Sequence, residues 1–303
     1  MLLDTASLYF RAFFGVPEIT AADGTPVNAV RGLLEFIARL VEDYSPSDLV
    51  CCWDNDWRPA WRVDLIESYK AHRVVEPGAG AAPDVEEVPD PLEAQVPIIR
   101  EVLAAAGIAV VGVDQMEADD VIGTFATGAG MPVEVVTGDR DLFQLVDDAA
   151  GVRVLYTARG VGNHDRVDEA WVLARYGVTA AQYADYATLR GDSSDGLPGV
   201  RGVGEKTAAK LLASHHDLAG VLAAAADPAS ILTASTRSKI EAARRYLAAA
   251  PEVVAVRRDL PVDRSATSLP TAPADPVRLA ELAARYNLEG PVARLRAALA
   301  GRG

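Results

Sequence analysis

Residues 133–146 read VEVVTGDRDLFQLV. Val133–Thr137 is rich in β-branched residues, the pattern of a strand buried on both faces, and Asp139 and Asp141 follow at once. The same order recurs upstream, with Met1–Leu3 running into Asp4 and Leu49–Trp53 into Asp54. Ile108–Val113 and Val152–Tyr156 are further strand candidates, and amphipathic stretches such as Val30–Glu42 and Leu92–Ala106 lie between them. This alternation predicts an α/β fold, a mostly parallel sheet flanked by helices on both sides. In such a sheet the C-terminal strand ends converge on one crevice, so three strands would deliver four carboxylates to one edge.

Any one of these aspartates is accounted for by helix capping or a turn. Their coincidence across three strands is not. Glu117-Ala-Asp119-Asp120 opens another helix, and three acids in four residues exceed what the helix dipole calls for. Regular helical spacing would put Glu117 and Asp120 on one face and point Asp119 elsewhere. Asp192 and Asp195 add a pair in a Gly-flanked loop, which taken alone reads as an Asx turn. The nine candidates are therefore Asp4, Asp54, Glu117, Asp119, Asp120, Asp139, Asp141, Asp192 and Asp195. Crowded carboxylates repel unless a cation sits among them, and oxygen-only donors suit Mg²⁺ or Mn²⁺, two or more per site. Two such ions would serve phosphodiester cleavage.

The chain has 303 residues, half of them hydrophobic, and a formal net charge of −14. Residues 1–195 hold 14 Lys/Arg against 33 Asp/Glu, whereas residues 196–303 hold 15 against 10. An acidic front half thus joins a mildly basic back half. Strand signals fade after Val178, which places a boundary near 180 and gives units 1–180 and 181–303. The two adjacent cysteines, Cys51 and Cys52, can neither staple a fold nor build a zinc site. There is no run of about 18 apolar residues and no basic leader with a cleavage site, so no membrane partner and a cytoplasmic location are expected.

In the back half, Gly199–Thr207 reads GVRGVGEKT and precedes a helical run, Ala208–Ala213. Its Gly-x-Gly turn lets backbone N–H groups approach an anion, and Lys206 and Lys210 add cations one turn apart. Following directly on Asp192–Asp195, it looks like a helix-hairpin-helix grip on a DNA backbone. Tyr69-Lys70-Ala71-His72-Arg73 is a basic-aromatic cluster of the front half; alone it reads as a solvated helix end, but beside the carboxylates Lys70 and Arg73 suit the scissile phosphate. Val74–Asp90 is rich in Pro, Gly, Ala and acid, and is expected to be a flexible excursion outside the core.

With these segments in place the chain resembles the bacterial 5′ nuclease and flap endonuclease family, including the 5′-nuclease domain of DNA polymerase I. The match runs over roughly residues 1–290, through LDTASLYFRAF (3–13), DLIESYKAHR (64–73), EADDVIG (117–123), TGDRDLFQLV (137–146) and GDSSDGLPGVRGVGEKTA (191–208). The resemblance implies a PIN-like nuclease domain followed by a helical DNA-binding region. It implies that Asp4, Asp54, Glu117, Asp119 and Asp139 lie closest to the first metal. Asp120 and Asp141 would lie between or beside the metals, and Asp192 and Asp195 at the second. Lys70 and Arg73 would serve catalysis at the base of an arch, here residues 74–90. Tyr69, Lys70, Arg73, Gly202, Gly204, Lys206, Thr207 and Lys210 would contact DNA, with a K⁺ ion at the hairpin. The implied partners are DNA bearing a 5′ flap or 5′ end and RNA primer strands, and the implied state is a monomer. Phe10 stands where many relatives carry a tyrosine, Asp4-Thr replaces the usual Asp-Gly, and the 74–90 segment is unusually acidic. Toprim centres need a Glu where Asp4 stands, and haloacid-dehalogenase-type phosphatases need an Asp where Ala6 stands. A DNA-binding protein without catalysis is the remaining alternative, against which all nine acids are retained.

Overall fold

The computed structural model describes residues 1–76 and 84–301. Its main sheet has six strands: β1 (Leu2–Asp4), β2 (Val50–Cys52), β5 (Ala109–Val111), β6 (Val133–Thr137), β7 (Val152–Tyr156) and β8 (Asp165–Val167). A separate two-stranded ribbon pairs β3 (Val74–Glu76) with β4 (Val85–Glu86). The sheet order is β5-β2-β1-β6-β7-β8, parallel except for β8. The chain therefore builds outward from β1 through β2 to β5, then returns to β1's other edge with β6. That reversal is the switch point at which open sheets gather ligands. β8 escapes the sequence reading because its three residues, DRV, carry two charges.

Side-chain alternation explains the apolar runs. Leu2, Val50, Cys52, Val135 and Val154 face one core, and Leu3, Cys51, Val136 and Leu155 face the other. The first core takes in the Ala118–Ala126 helix and continues through Tyr183, Tyr186, Val200, Val203, Leu212 and Leu247. The helical region behind residue 180 is thus fused to the sheet through shared apolar packing. The second core lies beneath Asn28–Tyr44, Val96–Ala106, Pro276–Arg285 and Glu289–Ala300. Among the described residues, no helix is long and apolar enough to cross a membrane.

The last helices of the unit 181–303 return to the front half, where Leu282, Leu295 and Leu299 close the second core against Leu33 and Ile37. Two expectations need correcting. The stretch Leu92–Ala106 is not one helix. It breaks at Gln95, whose Oε1 accepts the N–H groups of Ala29 (2.8 Å) and Val30 (3.3 Å) and so caps the Asn28–Tyr44 helix. The segment 74–90 is not loose throughout. Its flanks form β3 and β4, Glu87 N–H donates to Arg73 O (2.8 Å), Trp57 Nε1 donates to Asp84 O (3.1 Å), and Arg58 forms an ion pair with Asp84. The part of that expectation falling on residues 77–83 lies outside the described residues.

Leu295 is fully buried in the second core. Leu295→Ala should destabilise the whole protein by about 2–5 kcal/mol, the range for a buried leucine that leaves a cavity. Urea unfolding followed by far-UV and tryptophan signals should show one shifted transition. An unchanged midpoint would mean that this helix is not part of the nuclease core.

Candidate active site

The cleft at the switch point has a volume of about 1120 Å³. Asp4, Asp54, Glu117, Asp119 and Asp139 line it, together with Lys70, Arg73 and Glu86. Asp4 ends β1 and caps the Thr5–Gly15 helix, its Oδ1 accepting Ser7 N–H (3.1 Å) and its Oδ2 the Thr137 hydroxyl (2.6 Å). Thr137 Oγ1 in turn accepts Asp139 N–H (2.8 Å), so one buried threonine sets the spacing of two acids on adjacent strands. Asp54 leaves β2 and accepts Ala118 N–H (2.8 Å) at the start of the next helix. Burial pushes the Asp4 carboxyl up to about 7, against the Thr137 hydrogen bond, and Asp54 adds to the rise.

Glu117 is surrounded by donors. Lys70 Nζ lies 2.7 Å from it, the Tyr69 hydroxyl 2.8 Å and an Arg62 nitrogen 3.5 Å. Lys70 adopts a left-handed backbone (φ 48°), which aims its side chain inward; burial opposes its charge, but Glu117 outweighs that and holds its pKa well above the usual lysine range. Asp119 is in the opposite situation. No protein donor reaches its carboxylate among the described residues, and burial, then Asp139 and Asp4, drive its carboxyl well above the usual range. Asp141, outside the cleft lining, is also raised by burial and by Asp139, and its Oδ1 is buried without a partner.

The loop Gly191–Gly199 brings the remaining pair. Its glycines at 191, 196 and 199 have positive φ, and a Cβ on Gly196 would sit 2.0 Å from Ser68 O, so this loop abuts the Ser68–Lys70 backbone. Lys70 N–H donates to Asp195 O (2.9 Å), and Arg73 reaches Ser194 O (2.7 Å) and the Asp195 carboxylate (3.4 Å). Burial raises Asp195. For Asp192, burial works against the charge, yet Ser194, Arg190 and Arg140 hold its carboxyl below the usual range.

The family model for the 5′-3′ exonuclease N-terminal resolvase-like domain matches residues 1–177, and that for the 5′-3′ exonuclease C-terminal SAM fold matches residues 178–277. The chain belongs to the 5′-3′ exonuclease family. A 5′-3′ exonuclease of Streptomyces coelicolor is 62% identical over 296 residues, 97% of this chain and 98% of that protein. One from Mycobacterium tuberculosis is 53% identical over 308 residues, 99% and 97% of the two chains. The crystal structure of T5 D15 protein co-crystallised with metal ions has a similar fold, with a TM-score of 0.66 at 15% identity over 99% of this chain and 97% of that one. The enzyme class follows from the family: this is a 5′ nuclease acting on DNA.

Within this family frame two candidate residues change place. Asp120 is fully buried and turned into the core, where both its oxygens are held by Arg62 (2.7 and 2.8 Å), with Arg257 N–H (2.9 Å) and Glu117 N–H (3.2 Å) as further donors. It is a structural anion. The helical-spacing expectation fails because Glu117 is the N-cap, in extended conformation, so it is Glu117 and Asp119 that share the cleft. Tyr69 is 3% exposed and donates to Glu117, which removes it from the DNA surface. By contrast Gly202, Gly204, Lys206, Thr207 and Lys210 are all exposed, Gly202 with φ 77° and Gly204 as the N-cap of Glu205–His215. The sequence reading missed Arg62 and Glu86. Arg62 lies two residues before the quoted DLIESYKAHR segment, and nothing local marks it as the partner of an acid 58 positions away.

The two acids side by side on one helix should respond oppositely. Asp120→Asn strands Arg62 and should cost about 3–5 kcal/mol. Asp119→Asn relieves repulsion and should raise the melting temperature in metal-free buffer. Thermal melts in EDTA check both, and a stabilised Asp120→Asn would reverse the assignment.

Proposed function

We propose that this enzyme is a divalent-metal-dependent 5′ nuclease. It hydrolyses a DNA phosphodiester at 5′ flaps and free 5′ ends, close to the single-strand/duplex junction, leaving a 5′-phosphate and a 3′-hydroxyl. Its place would be flap and RNA-primer removal in replication and repair. The observation that carries this reading is the convergence of Asp4, Asp54, Glu117, Asp119 and Asp139 from four separate elements on the switch-point cleft, with Lys70 and Arg73 on its wall.

The donor set fits a hard divalent cation. All candidate ligands are carboxylates, Asp119 has no protein partner among the described residues, and Asp141 Oδ1 is buried and orphaned. Among the described residues no three acids are drawn into a closed cage. Asp4, Asp119 and Asp139, with Asp54 and Glu117, would hold one ion, and Asp141 and Asp195, with Asp192, a second. Mg²⁺ or Mn²⁺ bound there would supply an activated water and charge against the leaving oxygen.

The chain's own groups do the rest. Asp192 is engaged by Arg190 and Ser194, so its first role is to shape the loop that carries Asp195. Lys70 exchanges its bond to Glu117 for one to the scissile phosphate, and Arg73 contacts the same strand. The exposed hairpin Gly202–Lys210 grips duplex phosphates through backbone N–H groups and Lys206 and Lys210, without reading bases. A K⁺ ion among the oxygens of the Gly199–Thr207 turn belongs to the same proposal.

Asp119→Ala and Asp139→Ala should each abolish cleavage of a labelled 5′-flap duplex while leaving duplex affinity largely intact. Wild-type turnover with Mg²⁺ present would sink the ligand assignment. Lys70→Ala should slow the single-turnover rate by the equivalent of about 3 kcal/mol. Lys206→Ala should weaken duplex binding and flatten its salt dependence, with the rate at saturating enzyme unchanged. The opposite pattern in single-turnover rates and binding isotherms would exchange the two roles.

A further inference from the structure

Val85–Glu86 belongs to the short ribbon that follows Arg73 in the chain, and it returns an acid to the cleft. Register pairs Val74 with Glu86, and Glu87 N–H donates to Arg73 O (2.8 Å), so Glu86 is held directly alongside Arg73. The Glu86 carboxylate lines the cleft and lies 4.0 Å from the Arg73 guanidinium. Arg73 also meets Asp195 at 3.4 Å, so the cation on this wall is already flanked by two carboxylates. Like Asp195, Glu86 lies on no strand end or helix start of the main sheet. Asp54 and Glu117 repel it, and Arg73, its ion-pair partner, attracts it most, with Lys70 second.

We infer that Glu86 is an internal competitor for Arg73, standing where a substrate phosphate must bind and so setting which DNA ends are cut. The inference rests on the functional reading above, in which Arg73 contacts the cleaved strand. A carboxylate and a phosphate oxygen compete for the same guanidinium donors. A duplex anchored at the hairpin presents its phosphate at high effective concentration and displaces Glu86 easily. An unanchored single strand must displace it with fewer contacts. Glu86 therefore suppresses cleavage of unpaired DNA more than of flapped duplex, and the acidic character of this segment becomes a discrimination device.

The test compares the full-length protein and Glu86→Gln with Mg²⁺ on a 5′-flap duplex and on an unstructured oligonucleotide of the same flap sequence. Glu86→Gln keeps the ribbon's backbone and removes the charge. It should raise kcat/KM about three- to tenfold on the oligonucleotide and less on the flap duplex, mostly through KM, and the gain should shrink at high salt. In an Arg73→Ala background the same substitution should give no gain, since the coupling partner is gone. A gain that persists without Arg73, equal gains on both substrates, or no gain would each overturn the proposal. A loss as deep as that of Asp119→Ala would also overturn it and make Glu86 a metal ligand. A wild-type protein that cleaves neither DNA would instead fail the functional reading itself.

Discussion

The site depends on one buried ion pair. Arg62, 2% exposed, holds both oxygens of Asp120 and also donates to Val253 O (3.1 Å), while Asp120 accepts the backbone N–H of Arg257 and of Glu117. Three distant segments therefore meet at one pair: the Ala60–Leu65 helix, the start of the Ala118–Ala126 helix, and the stretch closing the Arg244–Val254 helix. A buried pair of this kind contributes little net stability, because desolvation offsets most of its attraction. What it supplies is position. With Asp120 locked inward, the first turn of its helix can present Glu117 and Asp119 to the cleft in one orientation only. The Tyr69–Lys70 segment that meets Glu117 follows directly from the helix that carries Arg62.

That scaffold holds an arrangement the protein would otherwise relax. Asp4, Asp119, Asp141 and Asp195 all have carboxyls raised by burial, with the nearby Asp139 carboxylate adding to the rise in each. Partners have been given selectively. Asp192 is held by Arg190 and Ser194 and Glu117 by Lys70 and Tyr69, whereas Asp119 has no donor among the described residues. Strain kept at a functional centre has to be over-determined by its surroundings. The two apolar cores that sandwich β1, β2 and β6 provide that rigidity, and the Glu289–Ala300 helix completes one of them.

What the sequence made legible follows from what is local. An apolar run ending in Asp needs only neighbouring residues to be read, and Asp4, Asp54 and Asp139 emerge where a parallel sheet must put them. The hairpin glycines are legible for the same reason, since positive φ at Gly199 and Gly202 is a property of single residues. Asp120 and Asp119 are indistinguishable by that route. Their difference is set by Arg62, 58 positions from Asp120, and by Glu117 being an N-cap instead of a helical residue. The same limit hid the C-terminal helices' return to the front half, because Leu295 and Leu299 show an amphipathic face without saying which core it meets.

The net charge of −14 opposes DNA binding overall, yet its placement makes it useful. Non-specific affinity for DNA scales with the number of phosphates neutralised. On this surface Lys206 and Lys210 are exposed cations at the hairpin, whereas Lys70 and Arg73, which would meet the cleaved strand, are already engaged by Glu117, Glu86 and Asp195. Under the proposed function the hairpin's cations are thus free to meet a duplex, and the cleft would be electrostatically closed until cations neutralise its acids. Binding and cutting would be separated in this way by charge. DNA held only by the hairpin would meet net repulsion at the cleft, so cleavage would call for the duplex contact, the cations and a strand end together, the combination that a 5′ junction presents.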